Sequence, residues 1–139
     1  MQNIKHEELL LDIYEFVKVK FKNMGMIVPA VYFIKDEDCT EIVPIFFTRQ
    51  DITMDEVREQ IMSQRGTAYI FCGLLAEQEQ LGLSEIKTKF SVILQYSRFN
   101  SDIATVIKGS IDMKSVTVFK TDIQKDIQRS ELPLRFDLK

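Results

Sequence analysis

The stretch Thr88-Lys89-Phe90-Ser91-Val92-Ile93-Leu94-Gln95-Tyr96-Ser97 decides the fold. Phe90, Val92 and Leu94 alternate with Ser91, Ile93 and Gln95, and side chains two apart on a strand share one face. The run therefore predicts a strand from about Thr88 to Ser97. Upstream, Thr67 to Leu75 is nearly all apolar, which predicts a central strand buried on both faces. Between them, Glu77-Gln78-Glu79-Gln80 reads as a polar connection with one helical turn before Gly82. Gly73, inside the apolar strand, reads as a bulge. Downstream, Ile103 to Ile111 and Ser115 to Lys120 continue the meander, with turns at Arg98-Phe99-Asn100-Ser101 and Asp112-Met113-Lys114.

Towards the amino terminus, Met26 to Ile34 and Glu41 to Phe47 are rich in β-branched and aromatic residues, with Lys35-Asp36-Glu37-Asp38 between them. They predict a hairpin. Pro29 and Pro44 each remove a ladder donor, so each belongs at an open edge, a bulge or a strand end, and the hairpin belongs at the sheet margin. Thr53-Met54-Asp55-Glu56 has the capping-box pattern and opens a short second helix on Met54, Val57 and Ile61, which ends by Gly66. The first helix runs from about Ile4 to Lys22. Leu10, Ile13, Tyr14, Val17 and Phe21 form its apolar stripe, acids sit early and lysines late, and Gly25 supplies a left-handed stop.

The order α-β-β-α-β-β-β-β describes an α+β domain: two layers, a mostly antiparallel sheet of five or six strands, and two helices packed on one face. One domain fills residues 1–139, with 122–139 reading as a mobile tail in which Leu132, Leu134 and Phe136 alternate. Length agrees, because 139 residues fit a single core. With 18 Lys+Arg against 21 Asp+Glu, the net charge of −3 argues against a dedicated nucleic-acid binder. The acid-containing amino terminus lacks the apolar core of a signal peptide, and no stretch is apolar enough to span a membrane. Cys39 and Cys72 sit in unrelated contexts and read as unpaired thiols of a reduced, cytoplasmic protein.

Reactive constellations are scarce. His6 is the only histidine and reads as a solvated residue in the helix's first turn. Without a second imidazole or a thiol close to either cysteine, triads and metal clusters built on them drop out. Asp36-Glu37-Asp38 with Glu41 lacks the length and glycine of a calcium loop. Glu85-Ile86-Lys87 matches a short acid-x-lysine fragment of metal-dependent nucleases, but its upstream aspartates, Asp51 and Asp55, fall at the second helix rather than on an adjacent strand. The glycines are isolated, so no phosphate cradle forms. The reading assigns no catalytic residue, no metal ligand and no cofactor.

Charge is uneven. Lys35 to Gln60 holds eight acids against three bases, and Thr88 to Lys139 nine bases against six acids, an asymmetry that can steer a charged partner. Met24 and Met26, bracketing Gly25, add adaptable apolar surface. A partner or pocket surface is expected from Pro29, Pro44, Glu85, Lys87 and Tyr96.

The segments Val28-Pro29-Ala30-Val31-Tyr32-Phe33-Ile34 and Ala68-Tyr69-Ile70-Phe71, with the helix between them, resemble a group of small bacterial α+β proteins with no assigned role. That resemblance implies the architecture and no activity. The layout is more loosely similar to the secretion-chaperone fold, whose members dimerise and wrap an extended client; this chain has more late strands and no closing helix. The functional expectation is a non-catalytic cytoplasmic protein-interaction domain, possessing a protein partner or forming a homodimer. The alternatives are a secretion- or immunity-type chaperone for one client, and a small-molecule-binding or hydrolytic domain with a carboxylate site.

Overall fold

The structure, a computed structural model, describes residues 3–47, 53–64 and 66–128. Its elements are α1 (Ile4–Met24), β1 (Ala30–Ile34), β2 (Ile42–Phe46), α2 (Met54–Ser63), β3 (Ala68–Gln80), β4 (Ile86–Arg98), β5 (Ile103–Asp112) and β6 (Thr117–Gln128). The six strands form one antiparallel sheet in the order β2-β1-β3-β4-β5-β6. This is the α+β class and element order that the periodicities predict. No helix among the described residues is long and apolar enough to cross a membrane.

Local chemistry sets the helix ends. The Asn3 side chain accepts from the Lys5 and His6 amides at the start of α1, and Gly25, at φ 72°, closes it by donating to the Phe21 carbonyl. Thr53 caps α2 by accepting from the Glu56 amide. The prolines fall where a missing donor costs least: Pro44 on the edge strand β2, opposite Tyr32, and Pro29 just before β1, its carbonyl accepting from the Phe47 amide.

The helices lie on opposite faces of the sheet, correcting the expectation that both cover one. The α1 stripe of Leu10, Ile13, Tyr14, Val17 and Phe21 packs with Ile34, Ala68, Ile70, Cys72, Val92, Leu94 and Ile107. Val57 and Ile61 of α2 pack with Val31, Phe33, Tyr69 and Phe71. Neighbouring residues of a strand point to opposite faces, so Ile34 beneath α1 and Phe33 beneath α2 place the helices on either side. β2 and β3 both pair antiparallel to β1, and α2 is the crossover that carries the chain over β1 between them.

The meander departs from expectation in two places. Glu77–Gln80 is not a helical turn; β3 continues through it, paired residue by residue with Ile86–Lys89 of β4. Residues 122–128, expected at the start of a tail, are strand in β6, and residues 129–139 lie outside the described residues.

On the α2 face, Gln95 is fully buried between Phe71 of β3 and Val106 of β5, and neither polar atom of its amide has a hydrogen-bond partner. A buried, unpaired amide is destabilising, whereas an apolar side chain of similar size is not. Gln95→Leu is expected to raise stability by about 1 kcal/mol, read as a later midpoint in urea denaturation with an unchanged slope.

Candidate functional site

Polar groups converge at the amino-terminal end of α1. His6 is not the solvated first-turn residue expected; it is fully buried. It extends the apolar stripe, standing four residues before Leu10, and the helix carries it under the sheet. Its Nε2 lies 3.2 Å from the Asp36 carbonyl and its Nδ1 2.6 Å from the Tyr96 hydroxyl. A carbonyl only accepts, so Nε2 donates to Asp36, and Nδ1 shares its hydrogen bond with the Tyr96 hydroxyl. Arg98, two residues further along the same face of β4, donates to Tyr96 and holds Glu37 through both guanidinium nitrogens, Nη1 to Oε2 at 3.0 Å. Glu37 also accepts from the Asn3 amide nitrogen at 2.7 Å, and Asn3 caps the helix carrying His6. The circuit closes, tying α1, the β1–β2 turn and β4 together.

Its electrostatics follow the same contacts. The Arg98 guanidinium, with Asn3, holds the Glu37 carboxyl down at about 2, and Glu37 in turn raises Arg98. Asp36, hydrogen-bonded by Thr40, also lies below the usual carboxylate range. Burial pushes the Tyr96 phenol up, and pushes the Cys72 thiol up to about 12; Cys39 is likewise raised, chiefly by desolvation. Each shift on tyrosine and cysteine moves the group away from its nucleophilic form. The circuit's polar groups are spent on one another, an arrangement suited to fastening elements rather than activating a substrate.

A pH dependence follows. Because Glu37 has its folded value depressed, from 4.5 to about 2, its stabilising contribution is present above about 4.5 and lost as pH falls toward 2. Asp36 and Asp112 share the sign. Stability is expected to decline across that window, and Glu37→Gln to flatten the decline, as read by urea midpoints at successive pH values.

The five residues expected at a surface do not gather. Tyr96 sits in the circuit and lines a cavity of about 140 Å³ with Arg98, Glu7 and Thr105. Lys87 lies nine residues earlier on the same strand, about 30 Å away, and Glu85 is in the β3–β4 connection, its carbonyl accepting from the Leu81 amide. Pro29 and Pro44 mark the far margin, around β1 and β2. Asp55 of the nuclease-like fragment opens α2, and Asp51 lies outside the described residues. Among the described residues, no three His, Cys, Asp or Glu side chains form a metal-binding group.

Glu85 and Lys87 belong instead to a two-stranded arm. β1 reaches only Cys72 of β3, and β5 reaches only Phe90 of β4, so beyond those points the β3–β4 hairpin has no further strand beside it among the described residues. Leu74, Leu81, Leu83 and Ile86 are exposed along it, Leu83 completely. Isolated ribbons of this kind gain little from self-pairing and offer free backbone donors and acceptors on both edges. No family model matches the chain, and neither a curated protein nor a solved structure matches it.

Proposed function

We propose that the chain is a non-catalytic, cytoplasmic protein-interaction domain whose binding element is the β3–β4 arm. One observation carries this reading: the arm combines exposed leucine and isoleucine side chains with strand edges, Gly73–Gln80 on one side and Ile86–Lys89 on the other, that have no neighbouring strand among the described residues. Apolar side chains held in water on a ribbon that supports no core are costly unless a partner covers them. β2 is a poorer edge for strand addition, being short and interrupted by Pro44. A chaperone for one client is a special case of the same reading, in which the arm holds an extended segment.

The test is affinity capture from the native cell with the full chain and a Leu81→Ser/Leu83→Ser/Ile86→Ser variant. A specific partner, or self-association seen by light scattering, that depends on the arm supports the reading. Equal capture by both proteins, with both monomeric, overturns it. A second reading, a small-molecule-binding domain, draws on the cavity beside Tyr96 and Arg98; a metabolite screen that raises the melting temperature, with the effect lost in Thr105→Leu, is its test.

A further inference from the structure

Where the arm leaves the sheet, an open trough of about 980 Å³ lies between β4 and the turn joining β5 to β6. Lys87 and Lys89 of the arm, Lys108 of β5, Lys114 of the turn and Lys120 of β6 all line it. Three acids, Glu77, Glu79 and Asp112, share the lining, so the five lysines leave an excess of two positive charges. Glu77 is engaged by Lys108, and Glu79 by Lys89 at 2.9 Å. Asp112, exposed and also on the lining, accepts from the Lys114 amide at 2.9 Å. Lys87, Lys114 and Lys120 are exposed and stand in no ion pair among the described residues. Phe90, Ile111 and Phe119 supply apolar wall, and the outer backbone edge of Ile86–Lys89 opens onto the same space.

From this geometry we infer that the trough seats an extended acidic peptide segment of a partner protein. The inference rests on the protein-interaction reading and supplies its partner chemistry. An incoming strand would continue the line of β5 past Asp112, adding its backbone to the free edge of β4 while alternate carboxylates meet the lysines. The charge pattern favours a peptide over a nucleic acid. The free β4 edge offers N–H and C=O in strand register, which complements a peptide backbone and not a phosphodiester. The trough also has lysines without the arginines that grip phosphate through two bonds, and the whole chain is acidic.

Fluorescence anisotropy with a labelled alternating glutamate–valine peptide tests it, against a lysine–valine peptide of equal length and a single-stranded oligonucleotide. The acidic peptide is expected to bind in preference to both, weakening as salt rises. Lys87→Glu/Lys114→Glu/Lys120→Glu is expected to weaken it at least about tenfold, while circular dichroism and melting temperature stay as in the parent. Binding of the lysine peptide or the oligonucleotide as tight as that of the acidic peptide overturns the inference, as does an unchanged affinity in the triple variant. The arm-tip serine variant separates this failure from failure of the broader reading: a partner lost with the tip but kept by the triple variant leaves the interaction domain standing and removes the acidic segment.

Discussion

Gly109→Ala is expected to destabilise the protein by about 3 kcal/mol, at the upper end of what overpacking a core costs, and to lower the melting temperature by about 10 °C. Gly109 is buried in β5 where α1 crosses. A methyl group added there would fall onto the Tyr14 hydroxyl, and would stand 2.7 Å from Val118 Cγ1 and 3.1 Å from Val92 Cγ1. None of the three yields easily. Tyr14 is itself buried, its hydroxyl is held 2.6 Å from Thr121 Oγ1, and valine side chains are stiff about their first torsion. Tyr14→Phe in the same chain removes the atom nearest the intruding methyl. The double variant is therefore expected to lose less than the sum of the single losses, a coupling readable from calorimetric or urea unfolding. Strict additivity would mean that Tyr14 is not what excludes the methyl.

His6→Leu is the second large effect, expected to cost about 2–3 kcal/mol. Leucine restores much of the volume but strands the Asp36 carbonyl and removes the hydrogen-bond partner of the Tyr96 hydroxyl. Tyr96→Phe alone is expected to cost about 1 kcal/mol, one hydrogen bond, and to add little on top of His6→Leu, because the hydroxyl it removes has already lost its His6 partner. Equal costs for Tyr96→Phe in the parent and in His6→Leu would show that the two side chains act independently. Either substitution loosens the connection between α1 and β4, so amide exchange should quicken first in Ile4–Leu10.

Most of the architecture is legible in the sequence because most of it is written in period. The α1 stripe, the Thr53 cap, the Gly25 stop and the alternation around Val92 each follow from spacing and side-chain chemistry alone. The helices' placement is legible too: strands such as Tyr69-Ile70-Phe71-Cys72, apolar at every position, need cover on both faces. His6 fell short for a related reason. Its polarity suggests solvent, while its place four residues ahead of Leu10 puts it on the buried stripe, and position prevailed because Tyr96 and Asp36 satisfy the ring. The arm was hidden by composition. Glu77-Gln78-Glu79-Gln80 has no strand propensity; its backbone pairing with Ile86–Lys89 and the ion pairs of Glu77 with Lys108 and Glu79 with Lys89 hold it extended. The closed circuit could not be seen in advance, since it joins residues as far apart in the chain as Asn3 and Arg98.

The same long-range stitching bears on synthesis. α1 leaves the ribosome well before some of the groups that receive it: Tyr96 lies 90 residues after His6, and Thr121 lies 107 after Tyr14. Until β4 to β6 are made, the amphipathic helix has only part of its docking surface, Ile34, Ala68, Ile70 and Cys72, a span in which holdases or premature aggregation would compete for it. Stalled chains ending before β6 should be cut readily by protease within Ile4–Met24, and full-length released chains should resist.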